Sequence, residues 1–212
     1  MTKDKKIAWN PPMAVIGAGG IGSHFCSLLD WAIGNDQAGD IAREDVHVYD
    51  FDTVDTSNLR HQDYTANLVG APKAYVMNAR YGYTSQCAKF GQRRDHYTGS
   101  RSFVICADNP GVRLGVYEHC LEYNKPFIDL RCEGDMMAVL TDSCDHKALL
   151  DSLGNTNEER KDERGRSCQR PEDVRNRRVQ LGHLAVAVAG LQLLLNRLRG
   201  DAFPDRLIRT VV

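Results

Sequence analysis

The chain has 212 residues, 42% hydrophobic and 26% charged, with a formal net charge of −1. That size suits one substantial soluble domain, and the balanced charge gives no basis for nucleic-acid binding, which draws on a basic excess. The N-terminal M-T-K-D-K-K-I-A-W-N-P-P holds no apolar core of signal-peptide length.

From the N-terminus, Met13 to Ile16 reads as a buried strand and Gly20 to Ile33 as a helix, joined through V-I-G-A-G-G-I-G-S-H at Val15 to His24. Gly17, Gly19 and Gly22 fit G-x-G-x-x-G, with Gly20 as a fourth glycine. Such a turn lets backbone close on a nucleotide, and the helix start aims unpaired N–H groups at phosphate. A polar stretch, Gly34 to Asp45, reads as a surface insertion before a second strand, Val46 to Tyr49. That strand ends in Asp50, an acid placed to hold a ribose hydroxyl. At this point NAD and ATP both remain open as the nucleotide.

Further along, Val69 to Tyr81 predicts a helix with Pro72 in its first turn, and Ser85 to Phe90 a third strand. Ser102 to Ala107 (S-F-V-I-C-A) is apolar on both faces, as a central parallel strand requires. Pro110 to Tyr123 predicts a helix, Pro126 to Leu130 a strand, and Glu133 to Leu140 an antiparallel return. The βαβ rhythm predicts an α/β fold with a doubly wound, mostly parallel sheet and an antiparallel C-terminal extension. Residues 142 to 176 are polar and charge-rich, and predict a mobile crossover loop with one helical turn near His146 to Leu153. A helix over Asp173 to Arg199, stopped by Gly200, and a short strand over Leu207 to Val212 complete the chain. The apolar run Leu181 to Leu195 carries Gly182, His183, Gly190 and Gln192 and is too short to span a bilayer, so it predicts a buried helix and no membrane contact. One domain over residues 1 to 212 is expected.

Seven cysteines are scattered at 26, 87, 106, 120, 132, 144 and 168, with no C-x-x-C pair. Zinc ribbons and thioredoxin-like chemistry therefore lack an anchor, no structural zinc is expected, and a reducing cytoplasm fits. Cys144 and His146 supply too few ligands for a closed tetrahedral site.

After Asp50 the chain reads D-F-D-T-V-D-T-S-N-L-R-H-Q, then G-A-P-K at Gly70 to Lys73, then A-D-N-P-G-V-R at Ala107 to Arg113. With the glycine turn, these four motifs over residues 13 to 140 resemble the ThiF/MoeB/HesA group, the adenylating domains related to ubiquitin-activating E1 enzymes. The nearest subgroup is the short ThiF-like proteins of bacterial plasmid and phage-type operons. The resemblance implies ATP and Mg2+ as cofactors, and adenylation of the C-terminal carboxylate of a small ubiquitin-like or sulfur-carrier protein with a glycine tail. It also implies a homodimer.

By the same resemblance Asp50 holds the ribose, Asn58 and Arg60 lie near the phosphates, and Lys73 is a cation on the triphosphate. Asp108 holds the magnesium, and Asp52 and Gln62 belong to the nucleotide-binding motif. The residue-level alternatives are plain: Asn58 as the cap of a helical turn, Lys73 as a solvated lysine, and Asp108 as the cap of the following helix. Cys168, in R-G-R-S-C-Q-R, stands where the family can carry a thioester-forming or sulfur-transferring cysteine, and Arg164, Arg166 and Arg170 favour its thiolate. An incidental cysteine in a solvated charge run is the competing reading.

Two departures stand out. His61 occupies the family's arginine position in S-N-L-x-R-Q, with Arg60 one place earlier, and no arginine occurs before Met13. Either Arg60 swings in to the phosphates or the site binds ATP less strongly. Two rivals follow: a catalytically degenerate E1-like binding subunit, and an NAD-dependent oxidoreductase. For the second, Asp50 lies 28 residues after Gly22, long for the dinucleotide fingerprint.

Overall fold

A computed structural model describes residues 7–151, 175–176, 180–202, 204 and 206–210. Among these, seven strands form one sheet in the order β3-β2-β1-β4-β5-β6-β7. The strands are β1 Met13–Ile16, β2 Val46–Tyr49, β3 Thr84–Gln86, β4 Ser102–Ile105, β5 Phe127–Glu133, β6 Met136–Thr141 and β7 Arg206–Thr210. The first five run parallel, whereas β6 pairs antiparallel with β5 and β7 with β6.

Central strands bury both faces, which is why they are almost wholly apolar. Side chains alternate between the faces. Val15, Val48, Val104 and Ile128 pack on one side, and Ala14, Ile16, Phe103, Ile105 and Phe127 on the other. The first side is covered by α1 (Gly20–Gly34), α2 (Lys73–Tyr81) and the C-terminal apolar helix Gly182–Arg199. The second is covered by α4 (Pro110–Tyr123) and a short helix at His146–Asp151, labelled α5, so the Gly182–Arg199 helix is α6. The helix α3, Arg94–Thr98, was not expected from the sequence. No helix among the described residues is long and apolar enough to cross a membrane.

Several expectations need correction. Gly34 to Asp45 is no mere surface insertion, because Ala38 and Ile41 are buried in the core and Arg43–Asp45 forms a 3-10 turn. The predicted helix over Val69 to Tyr81 starts at Lys73, with Pro72 as its N-cap, because the preceding segment pairs back through a Thr53–Pro72 bridge. The third strand is only Thr84–Gln86, and Phe90 sinks into the second core as part of the following turn.

The predicted loop over 142 to 176 begins as core structure. The Phe127 amide donates to Asp142 at 3.1 Å, Asp142 is paired with buried Arg197 of α6, and Cys144 and Leu149 are buried. The remainder of that expectation, residues 152–174, lies outside the described residues. Gln180 and Leu181 are not helical, so α6 starts at Gly182, later than the sequence suggested.

Candidate functional site

The C-terminal ends of β1, β2 and β4 open onto a cleft of about 410 Å³, the place where parallel α/β sheets hold ligands. Its floor is the glycine turn. Gly17 has φ +92°, and a Cβ there would stand 3.0 Å from the Ala107 amide nitrogen. A Cβ on Gly22 would fall 1.8 Å from the Gly17 carbonyl oxygen. Both positions therefore require glycine, the first for conformation and the second for close approach. Gly19 and Gly20 line the cleft at the start of α1, which has no side-chain cap and no acid in its first turn. Its free N–H groups and positive dipole end favour an anion.

Asp50 locks that turn to β2. One carboxylate oxygen accepts from the Ala18 amide at 2.6 Å, the other from the Asp52 amide at 2.8 Å. Burial raises the Asp50 carboxyl above its ordinary range, and the two amides with the nearby Lys73 cation pull it back. Tyr64 braces the same corner, its hydroxyl donating to the Ala18 carbonyl at 2.6 Å. Asp50 thus has a structural task in addition to the ribose contact expected of it, and each oxygen keeps further lone-pair capacity.

Lys73 reaches the cleft from the first turn of α2. It is buried, with its ammonium 3.6 Å from the exposed Asp52 carboxylate. Its backbone amide donates to the Asp52 carbonyl at 2.9 Å, so the two ends of the D-x-D…G-x-x-K span meet directly. A buried lysine at a cleft wall is no solvated surface lysine.

Asp55 and Asn58 form a capping box on the 3-10 turn Thr56–Arg60: the Ser57 amide donates to Asp55 at 2.8 Å, and the Asp55 amide to Asn58 Oδ1 at 2.9 Å. Asn58 therefore both caps a turn, as one reading of the sequence held, and faces the cleft. Asp108 lies exposed at the end of β4 on the opposite wall. The cap of α4 is Asn109, whose Oδ1 accepts from Gly111 and Val112 at 2.8 and 3.2 Å, so Asp108 is left to the cleft.

Gly17, Gly19, Gly20, Asp50, Asp52, Asn58, Gln62, Lys73 and Asp108 therefore line one cavity. Gly22 packs beneath it. Arg60 is exposed and is not among the lining residues, whereas its neighbour His61 is. Cys168, with Arg164, Arg166 and Arg170, lies outside the described residues. Arg113, the last residue of the A-D-N-P-G-V-R motif, is buried against Asp129 of β5, which also pairs with Arg131 and accepts from the Tyr117 hydroxyl. No group of three or more His, Cys, Asp or Glu side chains among the described residues is arranged to hold a metal.

Sequence reasoning missed the apolar wall, where Phe51, Tyr49, Phe90 and Val112 face the cleft and Phe51 remains 59% exposed. An exposed aromatic directly after a strand-ending acid was the available signal. It also missed that His24 of α1 and His183 of α6 gather behind His61. The rings of His24 and His183 are 5.4 Å apart, and those of His61 and His183 6.3 Å. Burial holds all three imidazoles below their ordinary pKa; Lys73 and then His24 add to the effect at His61, and His24 and His61 add to it at His183, which is pushed down to about 4. No sequence spacing brings these three together.

Among curated proteins no sequence match is found. Solved structures of E. coli MccB share the fold. The form with ATP has a TM-score of 0.64 at 17% identity, covering 95% of this chain and 60% of that one. The form with AMPCPP and selenomethionine MccA gives 0.64 at 15% identity with the same coverage. The chain thus spans about 60% of the length of those MccB chains. The ThiF family matches residues 5–195, nearly the whole chain, and the protein belongs to the ThiF family.

Proposed function

We propose that the protein is an ATP-dependent adenylating enzyme that activates the C-terminal carboxylate of a small ubiquitin-like or sulfur-carrier protein. The observation that carries this reading is the meeting of the glycine turn, Asp50, Asn58, Lys73 and Asp108 around one cleft. In this reading the glycine turn and the α1 N-terminus receive phosphate, Lys73 neutralises triphosphate charge, and Asp50 takes a ribose hydroxyl with its remaining lone pairs. Phe51 offers a face for the adenine ring. The substrate carboxylate attacks the α-phosphorus, an acyl-adenylate forms, and pyrophosphate leaves.

Asp108 fits a magnesium ion, because such an ion takes one or two protein carboxylates and fills its other positions with phosphate oxygens and water. The ion supplies charge neutralisation of the triphosphate when bound. The E. coli MccB structures with ATP and with AMPCPP and MccA are consistent with nucleotide and a partner chain on this fold. Cys168 is carried as the acceptor of the activated acyl group, with AMP released as the thioester forms. A cytoplasmic homodimer belongs to the same reading, supported by Trp31 on α1 and Val188 on α6, each more than half exposed on helices that pack together.

The test is ATP–pyrophosphate exchange with small proteins ending in Gly-Gly from neighbouring genes. Exchange is expected with the cognate partner only and is abolished in Asp108→Ala, whereas Cys168→Ser leaves exchange intact and removes the thioester. One observation favours a second reading, a degenerate E1-like binding subunit: the family's arginine position is held by His61, neutral in the free protein. Mg-ATP binding with no exchange would establish that reading, and binding of NADH in place of Mg-ATP would establish the oxidoreductase.

A further inference from the structure

The S-N-L-R-H-Q segment, which ends the 3-10 turn Thr56–Arg60, offers two groups for the phosphates, and the cleft admits only one of them. Arg60 is exposed away from the lining, while His61 and Gln62 both face inward beside Lys73. Besides burial, Lys73 of α2 and His24 of α1 disfavour the charged ring of His61, and α6 places the His183 ring 6.3 Å from it. Asp63, the nearest acid in sequence, acts on His24 and is paired with Arg80 at 3.4 Å. In the free protein the surroundings of His61 are therefore half-buried and cationic or imidazole in character, and they favour the neutral ring.

The neighbouring amide fits both charge states. Gln62 Nε2 lies 3.3 Å from His61 Nε2, so an amide donating there needs the ring nitrogen as acceptor, which is the neutral tautomer. Gln62 Oε1 is buried and has no hydrogen-bond partner. Turning the amide over presents that oxygen to a protonated Nε2–H, which satisfies the orphaned acceptor. His183 Nδ1 is likewise buried without a partner, so the cluster is under-satisfied as it stands, and buried polar atoms in that state mark a missing interaction.

We propose that His61, not Arg60, is the phosphate-contacting cation that this segment adds beside Lys73, and that it takes up a proton from solvent when the nucleotide binds. The inference rests on the nucleotide-binding reading above. A triphosphate beside Lys73 adds negative charge next to His61, which Lys73 and His24 hold towards the neutral ring in the free site. The proton then enters His61, Gln62 turns its oxygen to the ring, and one imidazole N–H donates to phosphate. Affinity is linked to pH with a definite sign: between the lowered pKa of free His61 and its raised pKa in the complex, binding strengthens as pH falls. At full coupling the gain is about tenfold per pH unit.

The experiment is calorimetric titration of the full chain with Mg-AMPCPP at pH 7 in PIPES and in Tris, whose ionisation enthalpies differ, followed by a pH series from 8 to 6. Expected for the wild-type chain is net proton uptake approaching one, and at least a several-fold affinity gain across the series. His61→Gln loses the uptake and binds several-fold more weakly, His61→Arg binds at least as tightly with affinity flat in pH, and Arg60→Ala behaves as wild type. Proton uptake that persists in both His61 variants, or lost affinity in Arg60→Ala with pH dependence unchanged in His61→Arg, overturns the assignment. Failure of every form to bind Mg-AMPCPP instead removes the nucleotide reading itself, and this inference with it.

Discussion

The glycine floor and the cation wall of the cleft are built on different physical principles. The glycine corner is made of backbone: Gly17, Gly22, the Asp50 carboxylate on two amides and the Tyr64 hydroxyl on a carbonyl, all at fixed short distances. The cation wall is made of side chains, Lys73 and His61 facing the cleft with His24 of α1 and His183 of α6 packed behind them. A backbone site tolerates almost no change and stores its function in shape. A side-chain site tolerates substitution and stores its function in charge, which solvent conditions can alter.

This contrast is sharpest at Gly22. Gly22→Ala drives a methyl into the Gly17 carbonyl, and about 3 kcal/mol of stability is expected to be lost, read as a lowered urea midpoint. A variant as stable as the parent would show that the corner is softer than its contacts indicate. On the cation wall the largest effect is conditional on pH. His183 in the folded chain is pushed down to about 4 from 6.5, so the unfolded state binds the extra proton between those values. Stability is therefore complete above about pH 6.5 and falls as pH drops towards 4, by roughly 3 kcal/mol from this group. His183→Gln should flatten that part of the stability–pH curve, and an unchanged acid slope would show that the histidine cluster does not govern it.

Smaller effects separate binding from folding. Lys73→Met keeps the buried stem and removes the ammonium beside Asp52. Stability is expected to change by less than about 1 kcal/mol, while Mg-ATP affinity falls about tenfold. A large loss of stability with unchanged affinity would move Lys73 from the binding wall to the scaffold. The smallest effect belongs to Arg60→Ala. As an exposed residue away from the lining it should change stability by less than about 0.5 kcal/mol and leave nucleotide affinity alone.

How legible each part was follows from the same distinction. The glycine turn, the acid at the end of β2 and the parallel strands are local patterns, since a short continuous apolar run and the need for missing side chains act within a few residues. Predicted and observed bounds agree for β1 and β2, and β4 differs only at its C-terminal end. The boundaries that shifted did so under long-range contacts: Pro72 was drawn into a bridge with Thr53, and Asp142 into the core by Arg197. Charge-rich composition predicted a loop at residue 142 because polarity alone cannot reveal that an acid has a buried partner 55 residues away.

What the amino-acid order determined without help was the alternating βαβ framework and the glycine corner, because strand burial and tight turns depend on neighbours along the chain. Which of two adjacent basic residues faces the cleft, and that His24, His61 and His183 stand together, was decided only when α1 and α6 packed against each other. The physical reason is that a side chain's charge depends on its burial and on groups brought close from distant parts of the chain, and neither exists before the fold does.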